Sequence, residues 1–170
     1  MIQRLRVPLG FVIAAAVLYL ATPTGILILA GLPIALCGAI LRTLAAGVIR
    51  KDSVLTTSGP YAWTRNPLYL GSSLLGLGFA MMSGSWIAAA LIILPSFVIY
   101  PNVIQKEEAH LARLFPDSFR DYCKSVPRFV PRFRAANGTF STQQYLANRE
   151  YNTVLGFIAV LSLFILKWRW

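Results

Sequence analysis

The sequence predicts an all-α fold: a polytopic integral membrane protein with about five transmembrane helices and cytoplasmic amphipathic helices. Three observations carry that reading. Of 170 residues, 56% are hydrophobic and 13% charged, about half the charged fraction of a soluble domain. No charged residue occurs between Arg6 and Arg42, nor between Arg65 and Lys106, and each interval is roughly twice the ~20 apolar residues that span a bilayer. Finally, with five spans, all 16 lysines and arginines except Lys167 and Arg169 fall on one side. The positive-inside rule then places the N-terminus and both long loops in the cytoplasm and the C-terminus outside. The net charge of +10 is therefore mostly a topology signal. It suits anionic lipid headgroups and makes nucleic acid a poor partner.

The chain reads as one membrane domain over 1–170, made of a helical hairpin (1–48), a core (50–133), a connector (134–150) and a C-terminal transmembrane helix (151–170). In the hairpin, Pro23 and Thr24 mark the turn, and Gly31, Gly38, Ala39 and Gly47 suit close helix packing in lipid. Arg4 and Arg6 followed by Val7–Ala21 also fit a secretory signal, but cleavage there would remove the partner of helix two, which favours an uncleaved span. Helix three is expected over Pro67–Met82, with a small-residue face of Gly71, Ser72, Ser73, Gly76 and Gly78. Helix four is expected from about Trp86 to Val103, with Pro95 and Pro101 able to kink it and Ser83-Gly84-Ser85 as the turn before it. Asp117 can cap a short helix whose Phe119, Tyr122, Cys123 and Val126 form one apolar face. Pro127–Arg134, alternating aromatic and basic residues, suits an arm lying on the membrane surface. Ala135–Asn148 reads as a polar connector. The last span, Tyr151–Leu166, is anchored by Lys167, Trp168, Arg169 and Trp170. Cys37 and Cys123 are not expected to pair, and no Cys or His spacing suggests a metal site.

Two stretches carry candidate chemistry. In Ser58–Gly71, Asn66 can act as N-cap and Pro67 as first helical residue. Arg65 directly before that helix start makes an anion-binding arrangement; the plainer reading is a helix start preceded by a topology arginine. Past helix four, Ile104, Glu108, Leu111 and Phe115 follow helical spacing, so Glu108 falls within an apolar stripe and Glu107 at its edge. A carboxylate there requires a cation or strong donors, supplied either by headgroups and local arginines or by a cationic ligand. His110, the one histidine, fits a satisfied or solvated role better than a catalytic one.

Together G-P-Y-x-x-x-R-N-P-L-Y-L-G at 59–71, E-E-x-x-L at 107–111 and the following F-x-x-x-F-x-x-Y and V-P-R-F tail resemble the isoprenylcysteine carboxyl methyltransferases and related phospholipid methyltransferases, over about residues 50–133. The resemblance implies an S-adenosylmethionine-dependent methyltransferase acting on a lipophilic acceptor, either an isoprenylcysteine-type carboxylate or a lipid headgroup amine. It implies cofactor contacts from Tyr61, Arg65, Asn66, Pro67, Tyr69, Gly71, Glu107, Glu108 and Leu111. Arg65 and the helix start would take the ligand carboxylate. Glu107 and Glu108 would take its ammonium or ribose hydroxyls, and Tyr61 and Tyr69 would cover the adenine or sulfonium. Arg128 would orient a carboxylate acceptor, and Glu108 or His110 would accept a proton from an amine one. Asn66 stands where the family usually has His; it retains a donor and an acceptor but cannot titrate near neutral pH. Two alternatives remain: an NADPH-dependent membrane reductase of the sterol-reductase type, which the paired glutamates disfavour, and a non-enzymatic lipid-binding membrane protein.

Overall fold

The computed structural model describes residues 2–50 and 52–170, without the side chains of residues 2–9 and 11. The roles read for Arg4, Arg6, Val7 and Lys51 lie outside the described residues. Seven α-helices and one 3-10 turn make up the described fold: α1 (Ile2–Leu20), α2 (Gly25–Val48), the turn Gly59–Ala62, α3 (Pro67–Met82), α4 (Trp86–Leu114), α5 (Pro116–Ser125), α6 (Thr142–Ala147) and α7 (Tyr151–Arg169). The protein is an all-helical membrane protein, and α2, α4 and α7 are long and apolar enough to cross a bilayer.

The centre of the fold is the α2–α3 seam. Ile28, Gly31, Ala35 and Gly38 are buried on one stripe of α2, facing Gly71, Leu75, Gly78 and Met82 of α3. The glycines let the backbones nearly touch. A Cβ on Gly38 would stand 2.5 Å from the Gly71 carbonyl oxygen, and one on Gly31 would stand 2.5 Å from that of Gly78. Since lipid tails are as apolar as side chains, such close packing, rather than hydrophobic exclusion, holds membrane helices together. Around the seam, Val17 of α1, Ala88 of α4, and Phe157 and Phe164 of α7 complete the core. The C-terminal helix is therefore built into the bundle, with Phe79 of α3 packing against both phenylalanines at ring separations of 5.7 and 6.0 Å.

Three connections meet at one end. The Thr22 amide donates to the Ser83 carbonyl at 2.7 Å, and the Thr22 hydroxyl donates to the Gly84 carbonyl at 3.0 Å. Lys167 caps the last carbonyls of α1, donating to Leu18 and Tyr19 at 2.5 and 2.8 Å. Gly84 needs to be glycine: its φ is +63°, and a Cβ would strike the Thr22 backbone. Every other polar segment gathers at the opposite end.

There the structure corrects several expectations. Helix four does not stop near Val103 but continues to Leu114, about 44 Å at 1.5 Å per residue, and so carries Glu107 and Glu108 on the same continuous helix. Asp117 is not the cap of α5: Phe115 occupies that position, Pro116 takes the first helical place, and Asp117 lies in the first turn, paired to Arg120 at 2.5 Å. The expected apolar face of α5 is present, with Phe119, Tyr122 and Val126 buried among Leu55, Leu111, Phe115 and Cys123. The connector holds α6, capped by Ser141, whose hydroxyl accepts from the Gln144 amide at 3.2 Å. Cys37 and Cys123 are both free.

Candidate functional site

The arm 127–137 is strapped along the segment 59–66 by backbone hydrogen bonds. The Arg65 amide donates to the Pro127 carbonyl at 2.9 Å, Arg132 to Trp63 at 2.9 Å, and Gly59 to Asn137 at 3.1 Å. Side chains add to it: the Trp63 indole donates to the Arg134 carbonyl at 2.8 Å, and the Arg134 guanidinium donates to the Ala62 carbonyl at 2.9 Å. The arm is thus a structural wall of the site, although Val130 and Phe133 remain largely exposed, at 77% and 76%.

Two cavities open beside this wall. A polar one of about 610 Å³ is lined by Arg42, the loop residues Ile49, Arg50, Asp52, Val54, Leu55 and Thr56, residues Tyr61 and Arg65–Tyr69, several residues of α4 between Val103 and Leu111, and Phe119 and Tyr122 of α5. Of the sequence-predicted binding residues, Tyr61, Arg65, Asn66, Pro67, Tyr69, Glu107, Glu108 and Leu111 all line it. Gly71 does not. It faces α2, where a Cβ would come within 2.6 Å of the Arg42 side chain, so its smallness serves packing. An apolar groove of about 440 Å³ lies between α3 and α4, lined among others by Gly76, Leu77, Phe97, Tyr100 and Ile104, with Arg128 and Phe129 of the arm at one end. Arg128 therefore belongs to the groove.

Glu108 joins the two. One carboxylate oxygen lies 2.9 Å from Arg128 Nε, and the other lies 3.4 Å from Arg65 Nε and accepts from Asn66 Nδ2 at 3.3 Å. Its side chain is 15% exposed, and two guanidinium charges and one amide donor answer the requirement that a carboxylate on a burying face be matched. Asn66 does hold the N-cap position of α3, but its side chain makes no cap. Its amide also donates to the Arg128 carbonyl at 2.9 Å, which the Thr64 hydroxyl reaches at 3.2 Å. Asn suits this place because its amide donates to a carbonyl and a carboxylate at once. The Arg128 backbone is therefore fixed while its side chain spans from groove to cavity.

Glu107 accepts from the Tyr69 hydroxyl at 2.7 Å, and the Tyr69 ring packs edge-on to Tyr100 at 5.1 Å, so this aromatic pair stands between cavity and groove. On the far side, the Tyr122 hydroxyl donates to the Tyr61 carbonyl at 2.7 Å. Burial raises the pKa of both Tyr61 and Tyr122 well above the usual tyrosine value, so both stay neutral donors. Two buried polar atoms of cavity-lining residues have no hydrogen-bond partner among the described residues: the Tyr61 hydroxyl and Arg65 Nε. The latter is within ion-pair distance of Glu108 yet outside hydrogen-bond geometry. The Arg65 guanidinium also contacts Cys123 Sγ. His110 pairs with Asp52 at 3.1 Å on the exposed side of the same cavity. Among the described residues, no three side chains of the metal-ligating kinds come together.

Sequence reasoning missed Arg42 and Glu150, which meet at 2.5 Å. Arg42 had been counted as a topology charge. The available signal was Glu150 itself, a lone acid at the head of an apolar helix. It also missed Thr64 and Tyr100, whose roles depend on contacts with distant segments.

Residues 41–118 match the phospholipid methyltransferase family. The cobalt-zinc-cadmium resistance protein CzcN of Cupriavidus metallidurans is 35% identical over 61% of this chain and 47% of its own length. The protein-S-isoprenylcysteine O-methyltransferase of Schizosaccharomyces pombe is 35% identical over 52% of this chain and 37% of its own length; the human enzyme of that name is 31% identical over 45% and 27%. The chain thus spans less than half the length of these curated relatives. No solved structure matches it. Both candidate motifs fall inside the matched span, and over that span the chain is similar to the phospholipid methyltransferase family and to isoprenylcysteine O-methyltransferases.

Proposed function

We propose that this chain is a membrane methyltransferase that uses S-adenosylmethionine and methylates a lipophilic acceptor lying in the α3–α4 groove. The observation that carries the reading is the adjacency of a charged cavity and an apolar groove, divided by the Glu108–Arg128 ion pair and the Tyr69–Tyr100 pair. When bound, S-adenosylmethionine supplies an electrophilic methyl on a sulfonium. The donor set fits it. The cavity offers both signs of charge, as a zwitterion with an extra cation requires, and the Tyr61 hydroxyl is an orphaned buried donor. Arg65 is committed to Glu108, so the ligand carboxylate is better served by Arg50 and Lys106, which line the cavity without an ion pair to the described residues. Glu107 and the Tyr69 ring take the cationic end.

Direct displacement needs no covalent help from the protein, so the residues chiefly align the partners and exclude water. Ile104, buried on the groove side, and Tyr100 keep that passage apolar. Arg128 is the one residue carrying a formal charge among the described residues that line the groove, which favours an acceptor carboxylate; an amine would meet a like charge there. Three carboxylates line the cavity, Asp52, Glu107 and Glu108, and they work against a polyanionic cofactor such as NADPH.

We place the site at the cytoplasmic face with five spans, because the site end carries the cluster of basic residues while the opposite end has only Lys167 and Arg169 among the described side chains. A transfer assay with labelled S-adenosylmethionine against a prenylcysteine analogue and phosphatidylethanolamine tests the reading. Label in the prenylcysteine ester is expected; label only in the amine overturns the acceptor assignment, and label in neither, with no cofactor binding, overturns the function.

A further inference from the structure

The family match ends at residue 118, yet the cavity's inner wall depends on a residue well beyond it. Arg42, on α2, donates to both oxygens of Glu150, at 2.5 Å through Nε and 2.9 Å through Nη2. Its remaining nitrogen donates to the Leu68 carbonyl at 3.2 Å and to the Ser72 hydroxyl. Leu68 lies in the first turn of α3 and lines the cavity beside Pro67 and Tyr69. Arg42 reaches that turn through the slot left by Gly71, where a Cβ would meet its Cγ at 2.6 Å. Glu150 is 6% exposed and is held firmly. Asn148 Nδ2 donates to the Ala46 carbonyl at 2.9 Å, the Ser141 amide to Gly47 at 2.9 Å, and Arg149 adopts φ 54°, a left-handed turn unusual for a side-chain-bearing residue.

We propose that Glu150 is a positioning residue for the cofactor cavity, aiming Arg42 at the first turn of α3 while cancelling its charge. Two-point pairing with a planar guanidinium fixes direction as well as distance. Cancelling the charge matters because a lone buried guanidinium lining this cavity would repel a cationic ligand, and such a charge acts strongly where water is scarce. The head of the last helix, outside the matched span, thereby becomes part of the binding machinery.

This inference rests on the reading of the cavity as the S-adenosylmethionine site. The test compares two probes on purified full-length protein in detergent: S-adenosylmethionine, and S-adenosylhomocysteine, which has one positive charge fewer. In Glu150→Gln, affinity for S-adenosylmethionine is expected to fall on the order of tenfold, with a clearly smaller fall for S-adenosylhomocysteine. Arg42→Gln combined with Glu150→Gln is expected to restore the wild-type ratio of the two affinities. Equal losses for both probes, or a ratio that the double variant does not restore, overturn the proposal in favour of a merely structural pair. Should Glu150→Gln not yield folded protein, Glu150→Asp keeps the charge and is expected to keep the ratio while weakening both; a shifted ratio overturns the proposal. Wild-type protein that binds neither probe overturns the reading of the site and this inference with it.

Discussion

The α2–α3 seam and the site end are held together by opposite means. Along the seam, glycines bring backbone to within contact of backbone, and Gly31, Gly38 and Gly78 would each collide through a Cβ with the facing main chain. At the site end, Arg42, Arg65, Glu108, Arg128 and Glu150 join five segments through ion pairs. The seam tolerates no added volume. The site end tolerates volume but no lost partner, because each of these five charges is held by another. In lipid, shape can fix a helix pair; at the polar end, only matched charges can be buried and still be available to a ligand.

The sharpest way to break the comparison is Gly38→Leu, which forces the Gly71 carbonyl away. A loss of about 3 kcal/mol or more is expected, read as a collapsed melting transition in detergent, whereas added bulk at Gly76, whose Cβ would find only Ile92 at 3.5 Å, should leave the fold intact. Next in size, Glu108→Gln leaves Arg65 and Arg128 facing each other without a carboxylate. S-adenosylmethionine binding by calorimetry should weaken by about 3 kcal/mol, and an unchanged affinity would detach Glu108 from the site. Tyr69→Phe removes one hydrogen bond to Glu107 while keeping the ring against Tyr100. A loss of about 1 kcal/mol in cofactor affinity is expected, with the melting temperature little changed. Smallest is Gly156→Ala on α7, where a Cβ meets nothing within 4 Å. Stability within about 0.5 kcal/mol of wild type is expected, and a large loss would mean that α7 has a packing partner on that face.

Much of this was legible in the chain. Charge-free intervals fixed the apolar helices, and the bounds of helix three, Pro67 to Met82, follow from Asn-Pro at one end and Ser-Gly-Ser at the other. The two motifs supplied eight of the cavity's lining residues, because residues held at fixed helical spacing on neighbouring elements reach a common space. Local pattern failed where a partner was remote. Phe115 could not be seen to displace Asp117 as the cap of α5, and the Asn66 side chain could not be seen to leave its own helix for Glu108 and the Arg128 carbonyl.

What the sequence by itself determined is therefore the class of the molecule and the chemistry of its two motifs, since both depend on composition and short spacing. The tertiary structure alone decided which charges cancel. Arg42 and Glu150 are separated by most of the chain, Glu108 and Arg128 come from different segments, and Gly71 serves a helix contact rather than a ligand. An ion pair is set by distance in space, and no period along the chain encodes that distance.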